Sequence, residues 1–150
     1  LGPSFPTRRS SDLIGDARGI VAAFALGASA VQLGTAYLFC PEAKVTTPHY
    51  RALCSAKGSQ TALTNIFTGR PARGIVNRIM RERGPISDDA PAFPLAGGAL
   101  MPLRAKSEPQ GSGDFMNLWA GQAVGLKHEL SAGVLTRLLA TQALEKLTGR

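Results

Sequence analysis

The sequence has few aromatic residues, only two cysteines and no long apolar run. Aromatic residues make up 6% of the chain, too few and too scattered for the stacking surface of a single-strand nucleic-acid binder. Cys40 and Cys54 have neither CxxC spacing nor a neighbouring pair of histidines, so no disulfide framework and no metal site is predicted. No apolar run reaches the ~18 residues of a membrane helix, and no apolar core of a signal peptide follows the first basic residues. These features favour a cytoplasmic protein with reduced thiols and no membrane association.

Positive charge is abundant but dispersed. The sequence has 17 lysine and arginine residues against 10 acidic residues, a formal net charge of +7. Only residues 78–83 concentrate several arginines, and no aromatic side chains alternate with them. This distribution favours solvated helix surfaces with one or two anion contacts, and no nucleic-acid partner is predicted. If the protein is not an enzyme, the alternative function is that of a small basic module that binds RNA or another polyanion through residues 70–83.

The first residues differ from the rest of the chain. A length of 150 residues and an apolar content of 44% are typical of one domain with a hydrophobic core. The string FPTRRSSDL at 5–13 has no amphipathic period and runs directly into an apparent helix. It resembles a translated sequencing-adaptor remnant, so residues 1–13 are expected to be a non-native arm, with an ordinary disordered arm as the alternative. The folded domain is therefore predicted over residues 14–150.

A helix, a tight turn and a short strand are predicted at the start of this domain. Residues 16–28 have helical periodicity, with Asp16 at the start, where a carboxylate favours the positive end of the helix dipole. Ile20 and Phe24 lie on one face at i, i+4 spacing, and Gly27 predicts the closing turn. Residues 30–33 are too few for a helix and apolar enough for a buried parallel strand.

This predicted strand ends at Gly34 and Thr35. In a βαβ unit the ligand edge lies beyond the carboxyl end of the strand. A glycine at that point lets a phosphate approach backbone N–H groups, and a threonine hydroxyl can add a hydrogen bond. We therefore interpret Gly34 and Thr35 as a phosphate-binding corner.

The rest of the chain predicts further helices and one more strand. Thr47 and Pro48 are typical of an N-cap and a first helical position, and β-branched residues favour a strand over 61–67. The predicted elements are a helix over 47–58, a strand over 61–67, a turn over 68–74, a helix over 75–83, an apolar segment over 95–100 and an amphipathic helix over 131–146. Arg70 and Arg73 in the turn could bind an anion, but a structural role is favoured.

Four segments, in order along the chain, resemble one known family. They are DARGI at 16–20, VQLGT at 31–35, FTGRPARG at 67–74 and WAGQ at 119–122. Together they resemble the C-terminal part of nitronate monooxygenase, formerly called 2-nitropropane dioxygenase, an FMN-dependent TIM (β/α)₈ barrel. The resemblance extends from about residue 14 to the end of the chain. It implies an α/β fold, namely the helix-rich C-terminal portion of an incomplete barrel.

The resemblance also implies where each element lies in the barrel. Residues 16–28 would be the seventh barrel helix and residues 30–33 the eighth strand, followed by terminal helices and an appended helical segment that leans over the flavin. Barrels of this kind hold phosphate on the loops after the seventh and eighth strands. Gly34 and Thr35 would therefore bind the FMN phosphate, with Gln32 and Leu33 beside the cofactor. The family's double glycine before Ile14 is replaced by residues of the 1–13 arm, so half of the phosphate site is expected to be missing.

The activity implied by the resemblance is FMN-dependent oxidation of alkyl nitronates by molecular oxygen. The family's catalytic base is a histidine on an earlier strand, and neither His49 nor His128 matches its motif, so no catalytic residue is assigned. Trp119 and Gln122 would approach the flavin edge or line the substrate pocket, although a single tryptophan is also typical of a core. Since a full barrel needs ~250 residues, this portion is expected to be inactive alone. The alternative among enzymes is another FMN barrel, such as an NAD(P)H-dependent enoyl-reductase relative.

Overall fold

Helices dominate the computed structural model, which describes residues 13–149. The α-helices in this range are α1 (Ala17–Ala25), α2 (Thr47–Ser55), α3 (Arg78–Arg83), α4 (Ala96–Ser107) and α5 (Ala132–Thr148). Short 3₁₀ helices cover Thr35–Phe39, Pro41–Ala43, Gly58–Gln60, Glu108–Gln110 and Gln122–Gly125. The strands β1 (Thr61–Thr64) and β2 (Ala72–Ile75) form an antiparallel pair. The arm predicted over 1–13 lies outside the described residues except for Leu13.

Helix α1 begins and ends at the signals that the sequence predicts. Asp16 is its N-cap, and the Asp16 carboxylate accepts a hydrogen bond from Gly19 N at 3.0 Å. Past the last turn, Gly27 adopts a φ of +88°, which favours glycine, and donates to the carbonyl of Phe24. The predicted inner face is only half right. Ile20 is buried but Phe24 is exposed, because the core with α5 is built on Ala17 and Ile20.

The strand predicted over residues 30–33 is wrong. Within residues 13–149 the sheet consists of β1 and β2, and residues 30–33 are assigned to no strand. A parallel strand must exchange backbone hydrogen bonds with neighbouring strands, and none lies beside this segment in the described range. Val31 and Leu33 instead pack against the α1–α5 core, whereas Gln32 is exposed.

The structure also revises the middle of the chain. The strand predicted over 61–67 forms only over β1, and part of the predicted turn and helix over 68–83 forms β2. Helix α3 then begins after Asn77, whose side chain caps it by accepting from Met80 N. The apolar segment over 95–100 is part of α4, although glycines and Pro102 disfavour a helix there. Helix α2 is confirmed, but it ends at Ser55 rather than at Gly58, and its N-cap is Thr46 rather than Thr47.

The described core consists of three clusters of buried side chains. Helix α5, predicted over 131–146, packs across α1, and Leu135 and Leu139 fill the space between them. A second cluster links α2 and β2 to the segment before the 3₁₀ helix Gln122–Gly125, and its buried members are Phe39, Leu53, Ile75, Met116, Leu118, Ala120 and Val124. The third lies under β1 and α3 and contains Ile66, Phe67, Ile79 and Met80. Among residues 13–149, none of the helices is both long and apolar enough to cross a membrane.

Candidate functional site

The predicted phosphate corner lies at the start of the 3₁₀ helix Thr35–Phe39. Gly34 immediately precedes this helix and is exposed. A Cβ built on Gly34 would meet no atom within 4 Å, and the φ of −111° does not require glycine. Neither backbone conformation nor crowding among the described residues therefore explains a glycine here. The position is open to a group that approaches from outside the chain.

Thr35 connects this corner to a distant part of the sequence. Its side chain is 9% exposed, and its Oγ1 accepts a hydrogen bond from Gly121 N at 2.8 Å. Because this bond uses only a lone pair, the Thr35 hydroxyl hydrogen can still be donated to another acceptor. Two predicted site segments, residues 32–35 and 119–122, are thereby brought together across 86 positions of sequence.

Residues 118–120 extend the β1–β2 pair at its outer edge. Ile75 N donates to Leu118 O at 2.8 Å, and Ala120 N donates to the carbonyl of Arg73 at 3.2 Å. Gly74 faces Trp119 across this edge, and a Cβ on Gly74 would lie 3.0 Å from Leu118 O. Glycine at position 74 therefore permits the close approach that fixes the 119–122 segment, which consists of Trp119, Ala120, Gly121 and Gln122.

The two predicted pocket residues differ in their surroundings. The Trp119 ring packs edge to face against Phe67, with ring centroids 5.6 Å apart and an interplanar angle of 88°. The ring therefore packs against the third core cluster while remaining partly exposed, and its place in a substrate pocket stays a prediction. Gln122 is exposed at the start of its 3₁₀ helix, and its backbone carbonyl lies against Gly58.

His49 also contacts the 119–122 segment, which the sequence did not indicate. Its Nε2 donates to the carbonyl oxygen of Trp119 at 3.0 Å. Burial lowers the pKa of His49, and the hydrogen bond to Trp119 partly opposes this effect. The imidazole is therefore favoured in its neutral form. No sequence signal could have identified this contact, because its partners are 70 positions apart.

His128 lies elsewhere. Its Nε2 is buried without a hydrogen-bond partner in the described range. It lines a depression of about 580 Å³ between the start of α1 and the end of α5, together with Asp16, Ala17, Arg18, Gln142, Glu145 and Lys146. None of the predicted cofactor or pocket residues lines this depression.

The arginines of the β1–β2 connection make intramolecular contacts. The guanidinium of Arg70 lies 4.3 Å from the centre of the Phe93 ring, and Arg73 Nη1 donates to the Thr61 carbonyl at 3.3 Å. On α3, Arg78 pairs with Glu82 at 2.7 Å. These contacts support the structural role favoured for Arg70 and Arg73.

Comparison with known proteins identifies the family. The family model for nitronate monooxygenase matches residues 13–141. The chain belongs to the nitronate monooxygenase family. Its sequence is 40% identical over 135 residues to nitronate monooxygenase from Pseudomonas aeruginosa, and 35% identical over 130 residues to a probable nitronate monooxygenase from Staphylococcus saprophyticus. These matches cover 89% and 87% of this chain but 37% of each relative, so the chain spans little more than a third of their length.

Solved structures agree with this assignment. A nitroalkane oxidase from Streptomyces ansochromogenes matches with a TM-score of 0.80 and 43% identity, over 91% of this chain and 39% of that one. FabK from Thermotoga maritima matches with a TM-score of 0.63 at 24% identity, over 91% of this chain and 44% of that one, and shows likeness of fold alone. The fold class expected from the sequence, part of a TIM-barrel flavoenzyme of the nitronate monooxygenase family, is confirmed. All six predicted cofactor and pocket residues lie within the family match.

Replacing Gly58 by alanine tests whether backbone contact holds the 119–122 segment. A Cβ on Gly58 would lie 2.4 Å from the carbonyl oxygen of Gln122, so the segment must shift. We expect the free energy of unfolding to fall by about 1–3 kcal/mol, together with a changed emission of Trp119, the only tryptophan. Urea titration followed by fluorescence measures both effects. Gly125→Ala is the matched control, because its Cβ would meet nothing within 4 Å; equal effects of the two substitutions would contradict the prediction.

Proposed function

We propose that this chain supplies part of the FMN site of an enzyme that oxidises alkyl nitronates with molecular oxygen. The observation that carries the proposal is the open Gly34 beside a Thr35 hydroxyl whose hydrogen can still be donated. Membership of the nitronate monooxygenase family, a family of flavin enzymes, supports it. Soluble small molecules, the nitronate and oxygen, are the proposed partners, and a cytoplasmic location is part of the same proposal.

The residues present fit one side of a phosphate site. The Gly34 N–H and the Thr35 hydroxyl would hold the terminal phosphate, and the backbone approach to Gly34 is unobstructed within the described range. Gln32 and Leu33 would lie next to the cofactor, and the exposed side chain of Gln32 is free to turn toward it. The chemistry that bound FMN supplies is electron transfer from the nitronate to oxygen. This chain's part is to bind and orient the phosphate end.

Trp119 and Gln122 are proposed to line the substrate pocket. The Thr35–Gly121 hydrogen bond holds their segment against the phosphate corner, so both parts of the site would be positioned together. We assign no catalytic residue, since neither His49 nor His128 matches the motif of the family's catalytic histidine. We further propose that residues 14–150 act as the C-terminal part of a barrel and that residues 1–13 are not part of it.

The test uses both the chain and the complete reading frame. Sequencing the locus upstream of codon 14 would give the whole protein, in which we expect one FMN per chain and oxygen consumption with the anion of nitroethane. The 150-residue chain should show negligible turnover and weak FMN binding. A tight one-to-one complex of the chain with FMN would contradict the expectation that half of the phosphate site is missing. NAD(P)H oxidation without nitronate turnover would favour an enoyl-reductase-like activity, and a steep salt dependence of RNA binding would favour a polyanion-binding module.

Thr35 variants of the whole protein test the phosphate contact directly. A hydrogen bond to a charged group contributes about 1.5–3 kcal/mol, so Thr35→Val should raise the Kd for FMN about ten- to hundredfold. Thr35→Ser keeps the hydroxyl and should bind FMN like the unmodified protein. Equilibrium dialysis measures both. Equal FMN affinity of the serine and valine variants would remove Thr35 from the proposed site.

A further inference from the structure

His49 lies where it can control the position of the proposed substrate-pocket segment. Its Nε2 is 3.0 Å from the carbonyl oxygen of Trp119. Since a carbonyl oxygen can only accept, the Nε2 atom carries the hydrogen in this contact. We propose that His49 is a positioning residue that holds the 119–122 segment in place beside the phosphate corner. The link to substrate rests on the proposed function; the contact itself does not.

The geometry of the strand edge explains why a donor is needed at this carbonyl. Leu118 and Ala120 turn their hydrogen-bonding groups toward β2. Because backbone groups of successive residues alternate in direction along an antiparallel edge, the carbonyl of the intervening Trp119 points away from β2. No strand pairs with this outer side among residues 13–149. The imidazole of His49, carried on α2, supplies the hydrogen bond that a further strand would otherwise provide.

Two side chains thus hold neighbouring peptide groups of the same segment. His49 donates to the Trp119 carbonyl, and Thr35 accepts from Gly121 N. They come from different elements, α2 and the 3₁₀ helix Thr35–Phe39. The backbone between the two contacts is the single residue Ala120, which is buried. Loss of the His49 bond should therefore loosen the segment on the side away from Thr35 and leave the α1–α5 core unaffected.

Asparagine and glutamine at position 49 form a matched pair of tests. The glutamine amide nitrogen can occupy the place of Nε2, whereas that of asparagine corresponds to Nδ1 and falls short of the Trp119 carbonyl. Loss of one ordinary hydrogen bond raises the population of the locally opened form, from which amide hydrogens exchange, by about two- to tenfold. We therefore expect amide hydrogen exchange of residues 118–124 in the 150-residue chain to accelerate by that factor in His49→Asn and to stay near the original rate in His49→Gln. Exchange in α5 should be unchanged in both variants.

Three results would overturn the inference. They are an unchanged rate at 118–124 in His49→Asn, equal acceleration in both variants, or acceleration that extends equally through α5, which would make the role of His49 a general one. In the whole protein, His49→Asn should raise the KM for the nitronate about two- to tenfold with FMN content unchanged. If the unmodified whole protein contains no FMN, the proposed function fails while the exchange result still decides the role of His49.

Discussion

Replacing Leu135 by alanine should lower the free energy of unfolding by about 2–5 kcal/mol. Leu135 is 0% exposed and lies between α5 and α1, in the cluster that includes Ile20 and Leu139. Truncation removes the transfer free energy of the lost methyl groups and leaves a cavity that two packed helices cannot fully close. Val31 and Leu33 pack against the same cluster, so its loss should loosen the predicted cofactor region as well. Urea unfolding monitored by circular dichroism gives the change.

Leu144→Ala on the same helix is the control. Leu144 is 62% exposed, so its truncation should change stability by no more than about 0.5 kcal/mol. Both substitutions remove the same atoms and place the same residue in α5, which cancels differences in helix propensity. Similar losses from the two variants would show that α5 is not docked on α1 through Leu135.

Replacing Asn77 by alanine should cost about 2–4 kcal/mol of unfolding free energy, because it removes a helix cap and leaves two carbonyls without their donor. The Asn77 side chain is buried at 5% exposure. Its Nδ2 donates to Gly113 O at 2.9 Å and Met116 O at 2.8 Å, while Oδ1 accepts from Met80 N. One side chain thus joins α3 to the loop that leads into the 119–122 segment.

A serine at position 77 separates the two contributions. Serine can still cap α3 but is too short to reach both carbonyls, so Asn77→Ser should lie between the original protein and Asn77→Ala in a urea titration. The control is Asn117→Ala, since the Asn117 side chain makes no hydrogen bond within the described residues, and we expect a change within about 0.5 kcal/mol. If Asn77→Ala were no more destabilising than Asn117→Ala, the network would carry little free energy.

The helices with strong local signals were predictable because their determinants are local. Asp16 and Gly27 limit α1, and the apolar spacing of Leu135 and Leu139 identifies the inner face of α5. Caps, glycine turns and i, i+4 spacing act within one or two turns of helix. The same local rules predicted only an apolar segment over 95–100, because two glycines and Pro102 lie inside α4.

The candidate site was predictable only in part. Gly34, Thr35, Trp119 and Gln122 are picked out by their resemblance to the family, and the family match contains them all. What joins them, the Thr35–Gly121 hydrogen bond and the His49 contact, spans 86 and 70 positions of sequence. A hydrogen bond between such distant groups leaves no periodic trace in the sequence of one chain.

The amino-acid sequence by itself indicated the family and the capping residues of α1, because each is recognised from short stretches of consecutive residues, and the cofactor residues stay a prediction. The tertiary structure decided that residues 30–33 form no strand within the described range, that residues 72–75 pair with β1, and that His49 meets Trp119. The physical reason is the same for all three. A backbone or side-chain polar group takes whichever partner the fold places beside it, and that partner is set by packing between distant segments.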